Sequence, residues 1–287
     1  MNYLASLRNP LRSKSVNSGT TTAHTILTPQ RLLTLARTSA LENSWYFIAA
    51  AAFAICNHPE EIPKIFHMAL VQSPNNLATA EAAIDQLNRV TNLSTDGTPP
   101  QTLESIIMSC ENIVNKLKQR QIANELREAL LKGAALGGLP RCINAMTLLR
   151  HTTPLDLRES THIRQKEGLT HEQERARGRE FWDVVYGKVS RRVQGQMETA
   201  YPDMLDYALD HVYGPLLSFT GVLGAKESSL VVIACLVPQD VNPQLKGHLR
   251  GAQNNGATLE EIRAARQGAL DISEWGGMKI AEPVGKL

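Results

Sequence analysis

The chain has 287 residues, of which 43% are hydrophobic and 20% are charged, and its formal net charge at pH 7 is +2. This composition excludes a disordered chain and a membrane-embedded chain, and the length allows about two domains. A charge so close to zero also argues against the strongly basic surface on which nonspecific nucleic-acid binding depends.

Both ends of the chain carry features of targeting signals. A polar arm, 1–28, is rich in Ser and Thr and precedes the first acidic residue, Glu42. This bias is typical of a mitochondrial presequence, although Pro10 interrupts its amphipathic segment, and a plain polar arm is the alternative. The last residues, Gly285, Lys286 and Leu287, resemble the peroxisomal tripeptide S-K-L. We expect a peroxisomal location and recognition by an import receptor, with a chance tripeptide in a mitochondrial or cytoplasmic protein as the alternative.

Helical patterns dominate the chain between these ends. Ala, Leu, Glu, Gln and Arg recur at helical spacing, which predicts an all-α protein. A membrane-spanning helix needs about 20 apolar residues. The apolar run Trp45–Cys56 is much shorter, so it predicts a core helix. An amphipathic helix covering 120–133 is expected to end at the pair Gly137-Gly138, and Thr258 with Glu261 predicts a helix-capping box.

The chain nearly repeats one helical unit. An apolar helix followed by a histidine-bearing helix occurs around His67 and again around His248. The charge density between the two copies is typical of a solvated connector. The pattern predicts a first repeat over 29–150 with an insert near 74–118, a charged connector over 151–180, and a second repeat over 181–287.

Several signatures of enzyme chemistry are missing. The sequence has no nucleophile elbow, no phosphate-binding loop and no dinucleotide fingerprint. The segment from His171 to Arg175 begins like a zinc-binding helix but lacks the second histidine. The four cysteines are far apart, which favours reduced thiols in an intracellular protein. We therefore expect no metal.

The segment from Tyr201 to Trp275 resembles the carboxymuconolactone decarboxylase family, which includes alkylhydroperoxidase-D-like proteins. The matching features are Tyr213-Gly214, Lys226-Glu227 at the start of an apolar helix, His248 in H-L-R-G-A, and the following N-N-G-A-T-x-E-E-I. The resemblance implies an all-α fold in which two degenerate repeats pack as an internal pseudo-dimer, and further association into a homo-oligomer.

The same resemblance separates two kinds of chemistry. Peroxidase-type members share a C-x-x-C pair before the histidine, and the corresponding positions here hold Val241 and Gln244. The redox-active dithiol is therefore missing. The resemblance then implies a decarboxylase-like lyase or isomerase that acts without a cofactor on a small carboxylated or lactone metabolite.

The resemblance and the acid–base requirement together name the candidate site. His248 is the candidate proton donor, since the ordinary pKa of histidine lies near cellular pH. Glu227 is expected to bond to the far ring nitrogen and to raise the pKa of the imidazole, although the interval between them is a residue longer than the family pattern. Tyr213 and His211 are expected to contact the substrate. In the first repeat Tyr46 takes the place of the glutamate, which predicts a structural copy.

Other interpretations of the same residues remain open. A single histidine on an apolar helix is often a core residue bonded to a backbone carbonyl, and a glutamate at a helix start often only complements the helix dipole. On that basis the alternative is a non-catalytic oligomeric scaffold or binding protein. Peroxide chemistry through Cys235 alone would require an exposed thiol with a lowered pKa, whereas its apolar surroundings favour burial.

Overall fold

A computed structural model of the protein describes residues 26–70, 81 and 113–281. Within these ranges no β-strand forms and the regular elements are helices, which confirms the predicted all-α fold. Most of the arm 1–28, most of the insert near 74–118 and the terminal Gly285, Lys286 and Leu287 lie outside the described residues. The repeat boundaries therefore stay predictions.

The described residues form eleven α-helices and one π-helix, with short 3₁₀ turns between several of them. The π-helix, Ala208–Leu217, continues directly from α8. The α-helices in chain order are α1 (Pro29–Ala36), α2 (Trp45–Ile55), α3 (Ile62–Leu70), α4 (Lys116–Gly137), α5 (Leu139–Thr152), α6 (His171–Tyr186), α7 (Ser190–Ala200), α8 (Pro202–Tyr207), α9 (Ala225–Leu236), α10 (Asn242–Asn254) and α11 (Leu259–Trp275).

Two apolar helices, α2 and α9, form the centre of the core. Every residue of α2 is buried, as expected for a helix that is hydrophobic on all sides. α2 and α9 contact each other, and each also contacts both α4 and α11. An internal repeat would produce this symmetric set of contacts, and the pseudo-dimer relation itself stays a prediction.

The helix ends follow the local signals in the sequence. α4 ends at Gly137, where Gly138 adopts a positive φ of 110°. At the start of α11 the hydroxyl of Thr258 accepts a hydrogen bond from the backbone N–H of Glu261, and the carboxylate of Glu261 accepts one from the backbone N–H of Thr258. The predicted capping box therefore forms. In the part of the chain that the structure describes, no helix is both long and apolar enough to cross a membrane.

A glycine contact fixes the distance between α6 and the π-helix. A Cβ atom at Gly178 would lie 2.4 Å from the backbone nitrogen and 2.6 Å from the Cα of Gly214. These are backbone atoms, which cannot rotate away as the end of a flexible side chain can. The two elements can therefore pack this closely only because both positions are glycine.

Replacing Gly178 by alanine should force these elements apart. We expect Gly178→Ala to lower the free energy of unfolding by about 3 kcal/mol, the upper range for overpacking a core. Urea denaturation followed by circular dichroism measures the change.

Gly195 provides the matched control, since a Cβ there meets nothing within 4 Å. Gly195→Ala in α7 should raise the free energy of unfolding by about 0.5–1 kcal/mol, because alanine loses less backbone entropy in a helix. Equal stability of the two variants would contradict the close contact at Gly178.

Candidate functional site

The π-helix carries Tyr213 and ends in a cluster of backbone carbonyls. Pro215 lies inside this helix. Proline has no N–H and its ring clashes with the carbonyl of the preceding turn, so the backbone widens around it. Long π-helices are rare, and they need outside partners for the groups that the wider turn leaves unpaired.

Lys132 of α4 supplies most of those partners. Its side chain is fully buried, and Nζ donates to the carbonyl oxygens of Leu216 at 3.0 Å, Leu217 at 3.2 Å and Phe219 at 2.9 Å. Burial lowers the pKa of Lys132 to about 8, and the Glu128 carboxylate, 3.6 Å away, opposes that shift. A single ammonium group thus binds three carbonyls at the end of the π-helix.

Two arginines from the charged connector and α6 complete this cap. Arg164 Nε donates to the carbonyl of Pro215 at 3.0 Å, and its guanidinium also bonds to Glu128. Arg177 donates to the carbonyl of Gly214 at 3.1 Å and to the Ser218 hydroxyl at 2.9 Å. The connector, predicted to be a solvated face, therefore contributes directly to the inner structure.

An aromatic and hydroxyl cluster lies beside the capped helix. The ring of Tyr213 packs on Trp182, with centroids 4.6 Å apart, and its hydroxyl lies 3.2 Å from that of Tyr186. The Tyr186 hydroxyl lies 3.5 Å from Nε2 of His248. Burial raises the pKa of both tyrosines, so both hydroxyls hold their protons at neutral pH.

His248 is brought to this cluster by close packing of α10 on α6. A Cβ at Gly251 would lie 2.7 Å from Cγ1 of Val185, so glycine permits the approach. The histidine is 8% exposed, and burial lowers its pKa to about 4. The ring is therefore neutral at cellular pH, whereas a protonated imidazole was expected.

Glu227 does not accompany His248 as predicted. Its carboxylate lies over the start of α9, where a Cβ at Gly224 would meet Oε2 at 2.6 Å, and Oε1 lies 3.6 Å from Nζ of Lys226. The hydrogen-bonding neighbour of His248 is the hydroxyl of Tyr186. The expected rise in the pKa of His248 is replaced by a fall, because burial acts without a carboxylate to oppose it.

The remaining predicted residues divide between the cluster and the surface. Tyr213 joins the cluster through Tyr186. His211 is exposed, and its ring packs against Tyr207 with centroids 5.4 Å apart. Tyr186 was not predicted as a site residue. Its spacing of four from Trp182, on the helix face that meets Tyr213, is the signal that could have identified it.

A groove opens between α7 and α10, with Tyr186 in its wall. Its volume is about 650 Å³. The charged side chains that line it are those of Arg192, Lys246 and Arg250. Among the described residues, no Asp or Glu lines the groove. His248 is not in the lining, and Tyr186 is the lining residue whose hydroxyl lies 3.5 Å from its Nε2. The groove thus offers positive charge and one tyrosine.

The described cysteines do not form a reactive thiol site. Cys235 is fully buried, and burial raises its pKa well above the ordinary value. Cys56 and Cys142 are also buried, with the pKa of each raised to about 11. Cys110 lies outside the described residues. An exposed Cys235 thiol with a lowered pKa, as peroxide chemistry would require, is therefore not found.

No metal centre is evident in the described ranges, because no three His, Cys, Asp or Glu side chains there could hold an ion together. The absence of a metal and of a cofactor stays a prediction.

Removing the Lys132 ammonium should leave three buried carbonyls without a donor. We expect Lys132→Met, which keeps the straight side chain, to lower the free energy of unfolding by about 3–5 kcal/mol. Chemical denaturation measures the loss. Lys118→Met on the same helix, whose ammonium bonds to Gln121 at 3.4 Å, should cost less than about 0.5 kcal/mol. A similar loss of unfolding free energy in both variants would show that the bonds of Lys132 to the three carbonyls contribute no more to stability than an exposed lysine does.

The neutral burial of His248 predicts a loss of stability in acid. The unfolded chain binds a proton on this ring below about pH 6.5, but the folded chain does so only near pH 4, so stability falls as the pH drops through that interval. Between pH 7.5 and pH 5, wild type should lose about 2 kcal/mol more than His248→Gln. Denaturant titrations at both pH values test this.

The exposed His151 serves as the control. His151→Gln should keep the pH dependence of wild type. If His248→Gln also keeps it, the ring titrates equally in the folded and unfolded states and is not buried in its neutral form.

Comparison with known proteins identifies relatives of this chain. The family model for the carboxymuconolactone decarboxylase family matches residues 202–282, which include the π-helix and His248. Peroxisomal protein 2 of Saccharomyces cerevisiae is 38% identical over 296 residues, covering 91% of this chain and 99% of the relative. Peroxisomal protein 2 of Schizosaccharomyces pombe is 41% identical over 156 residues, covering 54% and 72%.

No solved structure matches the chain. The names of both relatives confirm the predicted peroxisomal localisation. The family match and the similarity along nearly the whole chain confirm the resemblance drawn from Tyr213-Gly214 and His248. The chain belongs to the carboxymuconolactone decarboxylase family.

Proposed function

We propose that the protein is a cofactor-independent lyase or isomerase that acts on a small carboxylated or lactone metabolite. The observation that carries this proposal is the position of Tyr186, which lines the cationic groove and also contacts His248 and Tyr213. A substrate in the groove would thus lie beside a protonated hydroxyl that two buried polar groups hold in place.

In this proposal Tyr186 is the proton donor. When a carboxylate leaves as carbon dioxide, the broken C–C bond leaves an electron pair on carbon, and that pair takes the proton of the Tyr186 hydroxyl. The tyrosinate is stabilised by hydrogen bonds from the Tyr213 hydroxyl and from His248 in the tautomer that carries a proton on Nε2. Tyrosinate then regains a proton from water in the groove.

His248 has a different role in this proposal from that of the expected proton donor. Its pKa of about 4 leaves no imidazolium at neutral pH from which a proton could come. The neutral ring positions and stabilises the Tyr186 oxygen instead. Glu227 has no part in the step, because its carboxylate lies near Lys226 at the start of α9.

The cations of the groove suit an acidic substrate. Arg192 projects from α7, while Lys246 and Arg250 lie one turn apart on α10. Their charges would attract a carboxylate and hold it beside Tyr186. Self-association and import through Gly285, Lys286 and Leu287 are further parts of the proposal that the terminal sequence and the family resemblance support.

Removing one hydroxyl tests the assignment. Carboxylated lactones and related organic acids are incubated with the protein, and substrate loss and carbon dioxide release are followed. On any substrate found, Tyr186→Phe should lower kcat by about 10²-fold or more, since proton transfer by a positioned side chain contributes that much. Tyr201→Phe, at an exposed position directly after α7 and outside the groove lining, should retain wild-type turnover.

Equal turnover by Tyr186→Phe and wild type would remove Tyr186 from the mechanism. The alternative function is a non-catalytic binding protein, favoured by the exclusion of His248 from the groove lining. In that case carboxylates would bind, binding would weaken in Lys246→Gln, and no compound would be turned over.

A further inference from the structure

The groove has apolar surface as well as positive charge. Val189, directly before α7, and Arg192, Val193 and Gln196 of α7 line the groove at the spacing of residues that share a helix face. Val189 and Val193 are half-buried, and Leu259 at the start of α11 is 39% exposed. Hydrocarbon groups thus extend along the groove beside the cations.

The start of α10 adds a second source of positive potential. Pro243 and Gln244, in the first turn of α10, line the groove, and no side chain caps this end of the 13-residue helix. Pro243 has no N–H, so Gln244 is the residue of this pair with a backbone N–H, and the helix dipole has its positive end there. The uncapped helix start and the side-chain cations of α7 and α10 therefore border the same groove, and no acidic side chain lines it.

We propose that the groove binds amphipathic monocarboxylic acids, with the carboxylate held by Lys246, Arg250 and the start of α10. The hydrocarbon body lies along Val189, Val193 and Leu259. This inference rests on the proposed function only in that such an acid would be its substrate. It narrows the substrate class from small carboxylates in general to acids with an extended apolar portion.

The size and the lining of the groove favour this occupant. A volume of about 650 Å³ falls within the range of small-molecule sites. A short polar acid would leave the valines and Leu259 in contact with water. A neutral hydrocarbon would leave three cations without a partner. An acid with an apolar chain satisfies both surfaces at once.

Binding of three probes separates the contributions of charge and chain length. Isothermal titration calorimetry at low ionic strength compares decanoate with butanoate, which keeps the carboxylate, and with 1-decanol, which keeps the chain. A fully buried methylene contributes about fourfold in affinity, and partial burial in an open groove contributes less. Decanoate should therefore bind at least about tenfold more tightly than butanoate, and about tenfold more tightly than 1-decanol.

Two substitutions locate the bound acid. Lys246→Gln should weaken decanoate binding about fivefold, because it removes an ion pair with the carboxylate. Val193→Asn should weaken decanoate binding while leaving butanoate binding unchanged. Arg263→Gln, which removes one positive charge from an exposed position on α11, should bind decanoate as wild type does and so controls for net charge.

The outcomes distinguish this inference from the proposed function. Equal affinity for decanoate and butanoate overturns the apolar subsite, and equal affinity for decanoate and 1-decanol overturns the carboxylate subsite. Unchanged binding in Lys246→Gln and Val193→Asn overturns the location. If wild type binds decanoate as predicted but turns over none of the carboxylated compounds, the proposed catalysis fails and the binding site stands.

Discussion

The Lys132 ammonium at the carbonyl end of the π-helix is the interaction on which the rest of the site depends. Carbonyl oxygens that point into a protein interior need donors, and a wide helix interrupted by Pro215 cannot supply them from its own backbone. Lys132 binds three of these oxygens, with Arg164 and Arg177 beside it. Tyr213 is positioned by this helix and in turn contacts Tyr186, so the cap stabilises the hydroxyl cluster from outside the groove.

The cap also explains why charge accumulates in the connector and in α4. Glu128 contacts both Lys132 and Arg164, and Glu167 lies 2.7 Å from Arg177, so each of the three cations of the cap has a carboxylate neighbour. These pairs offset the desolvation of charges that the π-helix carbonyls require. A dense run of charges in a sequence is usually solvated, and only tertiary contacts decide which members point inward.

The sequence predicts the helices well because their signals are local. The all-apolar run of α2, the end of α4 at Gly137 and the box at Thr258 each follow from neighbouring residues. The site is less predictable, since it depends on rotation about helix axes. Each added residue turns a side chain by about 100° around the helix axis. The interval from Glu227 to His248 is one residue longer than the family pattern, and Glu227 lies at the start of α9 without contacting His248. Tyr186 belongs to a helix outside the motif, and only the packing of α6 brings it to His248.

Complete enclosure of Lys132 has a chemical consequence. An amine reacts with acyl donors and other electrophiles only when its nitrogen is unprotonated and reachable, and this nitrogen has no exposed surface. Its reaction with any amine-directed reagent would first require the π-helix to separate from α4. The rate at which Lys132 is labelled therefore measures how often this part of the protein opens, while the exposed lysines react irrespective of that opening.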